Sequence, residues 1–112
     1  MAAPPSGEAM LCVTGEGEDE LAGAGLLVPF DDTQAEIKRL YVRPGSQGRG
    51  IGRALTGGLL DVARTLGYNA VVLDVMPQRC GAIRLYKSFG FEQTAPFRDY
   101  EDYEMEFMRL PL

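Results

Sequence analysis

Histidine is missing from all 112 residues, and the two cysteines, Cys12 and Cys80, stand far apart without metal-ligand spacing. That inventory excludes zinc centres of the usual Cys/His kind and histidine-based catalytic triads. Two isolated cysteines are expected to stay reduced, as in a cytoplasmic protein. Apolar runs are short, and none approaches the ~20 residues that cross a bilayer. The opening Met-Ala-Ala-Pro-Pro-Ser-Gly has neither the basic segment nor the apolar core of a signal peptide. Positive charge is scarce too. Eleven Lys and Arg against sixteen Asp and Glu leave a net charge of -5, which argues against nucleic-acid and anionic-membrane surfaces, since binding to either is dominated by basic clusters. The expectation is a cytoplasmic protein with no metal, no nucleic-acid partner and no membrane contact. Its acidic balance suits a cationic amine substrate, and equally an ordinary solvated surface.

What is present is enough for one core. A chain of this length with 46% hydrophobic residues buries roughly two-thirds of its unfolded surface as a single domain. Residues 1 to 8 read as a loose Pro/Gly/Ser tail and 9 to 112 as the domain, with no internal repeat and no linker. Ala9 to Thr14, Glu20 to Pro29 and Ala35 to Val42 read as three strands of an antiparallel meander, with Asp31-Asp32 marking a turn. Apolar residues at Ile51, Ala54, Leu55, Leu59, Val62, Ala63 and Leu66 predict a helix from about Gly50 to Leu66, with Gly67 at its C-terminal cap. Ala70 to Val75 is an almost unbroken apolar run, the mark of a strand covered on both faces, and a crossover of this length predicts that it lies parallel to Ala35 to Val42. Ala82, Leu85, Tyr86 and Phe89 form the inner face of a second helix stopped at Gly90. A short strand near Phe91 to Gln93, an aromatic and acidic loop from Phe97 to Asp102, and a last strand Tyr103 to Leu110 follow.

The junction Gln47-Gly48-Arg49-Gly50-Ile51-Gly52-Arg53 sits between a strand and a helix. Unpaired N–H groups and the positive end of the helix dipole converge there, so an anion is favoured. Arg49 and Arg53 add positive charge suited to phosphate oxygens, and the expected ligand is a pyrophosphate. A nucleoside-triphosphate loop would need Gly-Lys-Ser/Thr, which the chain lacks. A dinucleotide fingerprint would need a third glycine where Arg53 stands, although Asp74, about 20 residues on, is the acidic residue that alternative wants. Gln-x-x-Gly-x-Gly fits instead. It resembles the acetyl-CoA signature of the GNAT acyltransferase superfamily, and Ala82-Ile83-Arg84-Leu85-Tyr86-Lys87-Ser88-Phe89-Gly90-Phe91 resembles that family's Ala-x-x-Leu-Tyr-x-x-x-Gly-Phe block, one helix and one strand later.

The resemblance implies an α/β fold with a mixed sheet, in which the meander leads into a parallel strand–helix–strand pair that splays to admit acetyl-CoA. It implies N-acetyl transfer to a primary amine of a small molecule or peptide. The coenzyme would lie on Leu40, Tyr41 and Val42, whose backbone pairs with its pantetheine arm, and on Gln47, Gly48, Arg49, Gly50, Ile51, Gly52 and Arg53. The thioester carbon would arrive in the gap between Val42 and Asp74, with an oxyanion donor at the N–H of Val42 or a neighbour. Tyr86 is implied as the acid that protonates the departing thiolate. Glu36, eleven residues before Gln47, is implied as the base, directly or through water. Arg79 stands where many relatives carry an asparagine that fixes the coenzyme, and is expected to reach a phosphate. Family members usually carry a strand and two helices ahead of the meander. The residues before Ala35 leave no room for the two helices, so a homodimer partner or the acidic loops, Glu16 to Glu20 and Asp99 to Glu104, are expected to complete the acceptor pocket. The other reading is a non-catalytic acyl-CoA-binding or assembly module.

Overall fold

The computed structural model describes residues 9–14, 21–46 and 50–112. Among the described residues six strands form one sheet: β1 (Ala9–Thr14), β2 (Leu21–Pro29), β3 (Gln34–Val42), β4 (Ala70–Val75), β5 (Glu92–Gln93) and β6 (Glu106–Pro111), in the spatial order β1-β2-β3-β4-β6-β5. The first three form the expected antiparallel meander, β3 and β4 run parallel, and β6 pairs antiparallel with β4. Two helices, α1 (Ile51–Thr65) and α2 (Cys80–Ser88), follow β3 and β4. The loop expected over Phe97 to Asp102 extends to Met105, so the last strand begins at Glu106, not Tyr103.

Helix α1 packs directly on β2 because β2 is glycine-bearing on that face. A Cβ on Gly23 would stand 2.9 Å from Leu55 Cδ1, and one on Gly25 would stand 2.8 Å from both Leu40 Cδ1 and Leu59 Cδ1. Leu55, Thr56, Leu59, Leu60 and Ala63 form the buried stripe of α1. Helix α2 lies beside α1 on the same side of the sheet, where Phe89 approaches Gly57 and Arg53 stacks over the Phe89 ring at 5.5 Å. Leu27, Ile37, Leu59, Val71, Leu73, Tyr86, Met108 and Leu110 join in the core between helices and sheet.

Both helices end in the same motif. Gly67 and Gly90 adopt positive φ, 90° and 103°, the conformation a glycine at this position supplies at least cost. In α2 the N–H of Gly90 donates to Lys87 O and that of Phe91 to Tyr86 O, and the Phe91 ring meets the Tyr86 ring edge-on at 5.7 Å. The Gly-Phe pair therefore stops the helix and braces the tyrosine in one step.

The opposite face of the sheet carries no helix among the described residues. The segment from Thr94 to Met105 crosses part of it, anchored by Phe97, whose ring packs edge-on against Phe30 at 4.9 Å and Phe107 at 4.8 Å. Tyr100 stacks on Tyr103 at 5.3 Å.

Candidate functional site

Pairing between β3 and β4 runs through Gln34↔Ala70, Ala35↔Val71 and Glu36↔Val72, and stops there. Beyond it β3 bulges. Lys38 faces Leu26 and Tyr41 faces Ala24, so Gly25 of β2 opposes both Arg39 and Leu40, and Arg39 sits at φ 54°. A bulge bends its strand and increases its twist, and this one falls where β3 leaves β4. β4 continues against β6 as far as Val75↔Glu106. The strands thus open a wedge with Glu36 near its apex and Asp74 on one wall.

Two cavities occupy the region. The larger, about 890 Å³, lies between the end of β3 and the N-termini of α1 and α2. Leu40, Tyr41, Val42, Gly50, Ile51, Gly52, Arg53, Arg79 and Tyr86 all line it, so the structure gathers nine of the residues singled out from the sequence. Gln47, Gly48 and Arg49 lie outside the described residues. Gly50 caps α1 at φ 76°, and a Cβ there would meet nothing within 4 Å, so the first turn opens directly to the cavity. Volume, two helix N-termini and the cations of Arg53 and Arg79 suit an elongated polyanion such as acetyl-CoA.

The smaller cavity, about 330 Å³, lies in the wedge and is lined by Lys38, Arg39, Asp74, Met76, Arg98, Tyr100 and Met105 among others. Leu40, Arg79 and Tyr86 belong to both cavities. Tyr86 is 6% exposed and its hydroxyl makes no hydrogen bond among the described residues. Burial pushes its pKa up against the opposing charge of Arg79, so at neutral pH it is a phenol with a proton to give.

Glu36 occupies a different position from the one its proposed chemistry needs. It is 2% exposed, lines neither cavity, and both of its oxygens accept from Arg98: Nη2 donates to Oε1 at 2.6 Å and Nη1 to Oε2. Lys38 Nζ stands 4.0 Å away. Arg98 Nη1 also reaches Asp74 Oδ2 at 3.3 Å, and the Tyr100 hydroxyl donates to the same oxygen at 2.6 Å. The hydrogen bonds to Glu36, more than any other contact, hold the Arg98 pKa above its ordinary value. The bond to Asp74 does the same for Tyr100. Asp74 Oδ1 keeps no partner among the described residues, so Asp74 is the carboxylate that opens to the wedge. A dinucleotide site would turn Asp74 toward a ribose, whereas here it is tied to Arg98 and Tyr100.

Sequence reasoning missed Arg98. Its signal is faint but present, for it is the one basic residue between Lys87 and Arg109, set in an aromatic and acidic loop. The acidic residues of the loop expected to complete the acceptor pocket, Asp99, Glu101, Asp102 and Glu104, are exposed and line neither cavity. Glu16, Glu18, Asp19 and Glu20 lie outside the described residues. No group of three His, Cys, Asp or Glu residues able to hold a metal occurs among the described residues, and none of their helices is long and apolar enough to cross a membrane.

A family model described as the acetyltransferase (GNAT) family matches residues 3–91. An uncharacterized N-acetyltransferase of Schizosaccharomyces pombe is 36% identical over 110 residues, covering 97% of this chain and 66% of the relative. This chain therefore spans just under two thirds of that relative's length. A Klebsiella pneumoniae structure assigned as an acyl-CoA N-acyltransferase superposes with a TM-score of 0.84 at 27% identity, covering 94% of this chain and 72% of that one. The yncA structure from Salmonella typhimurium, assigned as an acetyltransferase and solved with its cofactor acetyl-CoA, gives 0.72 at 29% identity, covering 86% and 61%.

Proposed function

Because the chain belongs to the acetyltransferase (GNAT) family, we propose that it moves an acetyl group from acetyl-CoA to a primary amine by direct attack. The observation that carries this is the junction of two cavities at Tyr86. When bound, acetyl-CoA supplies the activated thioester. The larger cavity takes the coenzyme: Gly50, Ile51, Gly52 and Arg53, with Gln47, Gly48 and Arg49, hold its diphosphate through helix-terminal N–H groups and positive charge. Arg79 faces the same cavity as a further phosphate contact. The edge of β3 from Leu40 to Val42, released from β4, pairs with the pantetheine arm as an added strand would. A backbone N–H near Val42 receives the developing oxyanion.

Tyr86 is the acid that gives its proton to the leaving sulfur. On the acceptor side the carboxylate with a free oxygen is Asp74, which takes the amine's proton directly or through water. Glu36 acts at one remove, fixing the Arg98 guanidinium against Asp74. Contact with the amine thus passes from Glu36 to its neighbour Asp74.

Isothermal titration with acetyl-CoA tests the coenzyme site, and thiol release with an amine panel tests the transfer. No heat at millimolar coenzyme would end the proposal. Free thiol that appears with an acceptor and falls sharply in Tyr86→Phe would distinguish transfer from simple coenzyme binding.

Two coarser features extend the proposal. Leu26 and Val28, half-buried on the helix-free face of β2, and Tyr41, half exposed on β3, favour a homodimer, which light scattering on the purified chain tests. The content of only two cysteines, with Cys80 free, favours the cytoplasm, which cell fractionation tests.

A further inference from the structure

The acceptor cavity has a charge pattern that narrows the amine it would take. Arg98 is spent on Glu36 and Asp74, and Arg79 is shared with the coenzyme cavity. What remains facing the wedge among the described residues is one carboxylate oxygen, Asp74 Oδ1, and two cations, Lys38 and Arg39. Arg39 has no ion-pair partner among the described residues, and Lys38 has only the 4.0 Å approach to Glu36. Such a site is poorly matched to a polyamine or an aminoglycoside, whose extra positive charges would meet the same two cations. It matches a molecule that brings one positive and one negative group.

We propose that the acceptor is a free α-amino acid, with its amine on Asp74 and its carboxylate on Lys38 and Arg39. Size agrees, since about 330 Å³ is at the small end of ligand sites and admits a molecule of amino-acid dimensions. The rest of the wall includes Met76 and Met105, flexible side chains that adapt to an uncharged substituent. The inference rests on the transferase reading above. In the reaction the amine nitrogen bonds to the acetyl carbon, and the carbon–sulfur bond breaks with its electron pair going to sulfur. The sulfur takes a proton from Tyr86, and the ammonium's two surplus protons pass by way of Asp74 to water. One of these is returned to Tyr86 from solvent, so the products are the N-acetylamino acid, free coenzyme A and one proton.

Thiol release is measured on the full chain with acetyl-CoA and matched acceptors: L-phenylalanine against phenethylamine and L-phenylalaninamide, L-leucine against isoamylamine, and spermidine and kanamycin as purely cationic amines. Each amino acid is expected to exceed its carboxylate-free partner by at least about tenfold in kcat/KM, the equivalent of 1.4 kcal/mol. Lys38→Gln and Arg39→Asn, the latter chosen because asparagine tolerates positive φ, are expected to raise KM for the amino acid far more than they lower kcat. Equal or faster transfer to the decarboxylated amines, or to spermidine, overturns the inference and leaves the transferase reading standing. Thiol release with no member of the panel overturns both.

Discussion

Replacing Arg98 by methionine would leave the Glu36 carboxylate, 2% exposed, without either of its guanidinium bonds. Stranding a buried charge in this way costs about 3 kcal/mol, so urea unfolding of Arg98→Met is expected to show a midpoint well below that of the parent. Adding Glu36→Gln should recover part of the loss, because the uncompensated charge goes with it. If the double variant were no more stable than Arg98→Met, the ion pair would not be the cause. Tyr86 is the other residue on which much depends. Tyr86→Phe removes one hydroxyl from a position packed against Phe91 and is expected to lower kcat by about 10²-fold to 10⁴-fold. Acetyl-CoA affinity, measured by calorimetry, should change little, since the ring and its packing stay.

At the scale of elements, the end of α2 couples stability to chemistry. Gly90 stands at φ 103°, and a Cβ there would meet Leu110 Cδ1 at 3.2 Å. Gly90→Ala is expected to cost about 1–3 kcal/mol and, by shifting Phe91, to loosen Tyr86. The expected signature is a lower Tm together with a lower kcat, where Gly81→Ala, which meets nothing within 4 Å, should leave Tm nearly unchanged. Elements of this kind were legible in the sequence because their signals are local. The period of α1, the unbroken apolar run of β4, the Gly-Phe stop of α2 and the Asp31 turn all lie within a few residues of what they specify. In that turn the Asp31 carboxylate accepts the N–H groups of Thr33 and Gln34 at 2.9 and 2.8 Å. The contact between Arg98 and Glu36 joins residues 62 apart, and no periodicity records it. For the same reason the resemblance implied Glu36 as the base without recording its partner, whereas alternation along β3 turns it onto the face that the Thr94 to Met105 segment covers. The bulge at Arg39 was also invisible, since it depends on Gly25 in a neighbouring strand and not on anything within β3.

For the whole molecule, three tyrosines set an alkaline limit. Burial raises the pKa of Tyr68 and Tyr86, and the bond to Asp74 raises that of Tyr100. Each holds its proton more tightly folded than unfolded, so its contribution is complete below the unfolded value of about 10 and is lost as pH rises through the higher folded values. Tm is therefore expected to fall beyond about pH 10, with a smaller fall in Tyr100→Phe. A chain whose alkaline decline were the same in that variant would place the titration elsewhere. The meeting of the two cavities at Leu40, Arg79 and Tyr86, among the described residues, has its own kinetic meaning. Neither reactant need depart before the other enters, so reciprocal plots at several fixed acceptor concentrations should intersect, where a relay through an acylated side chain would draw them parallel.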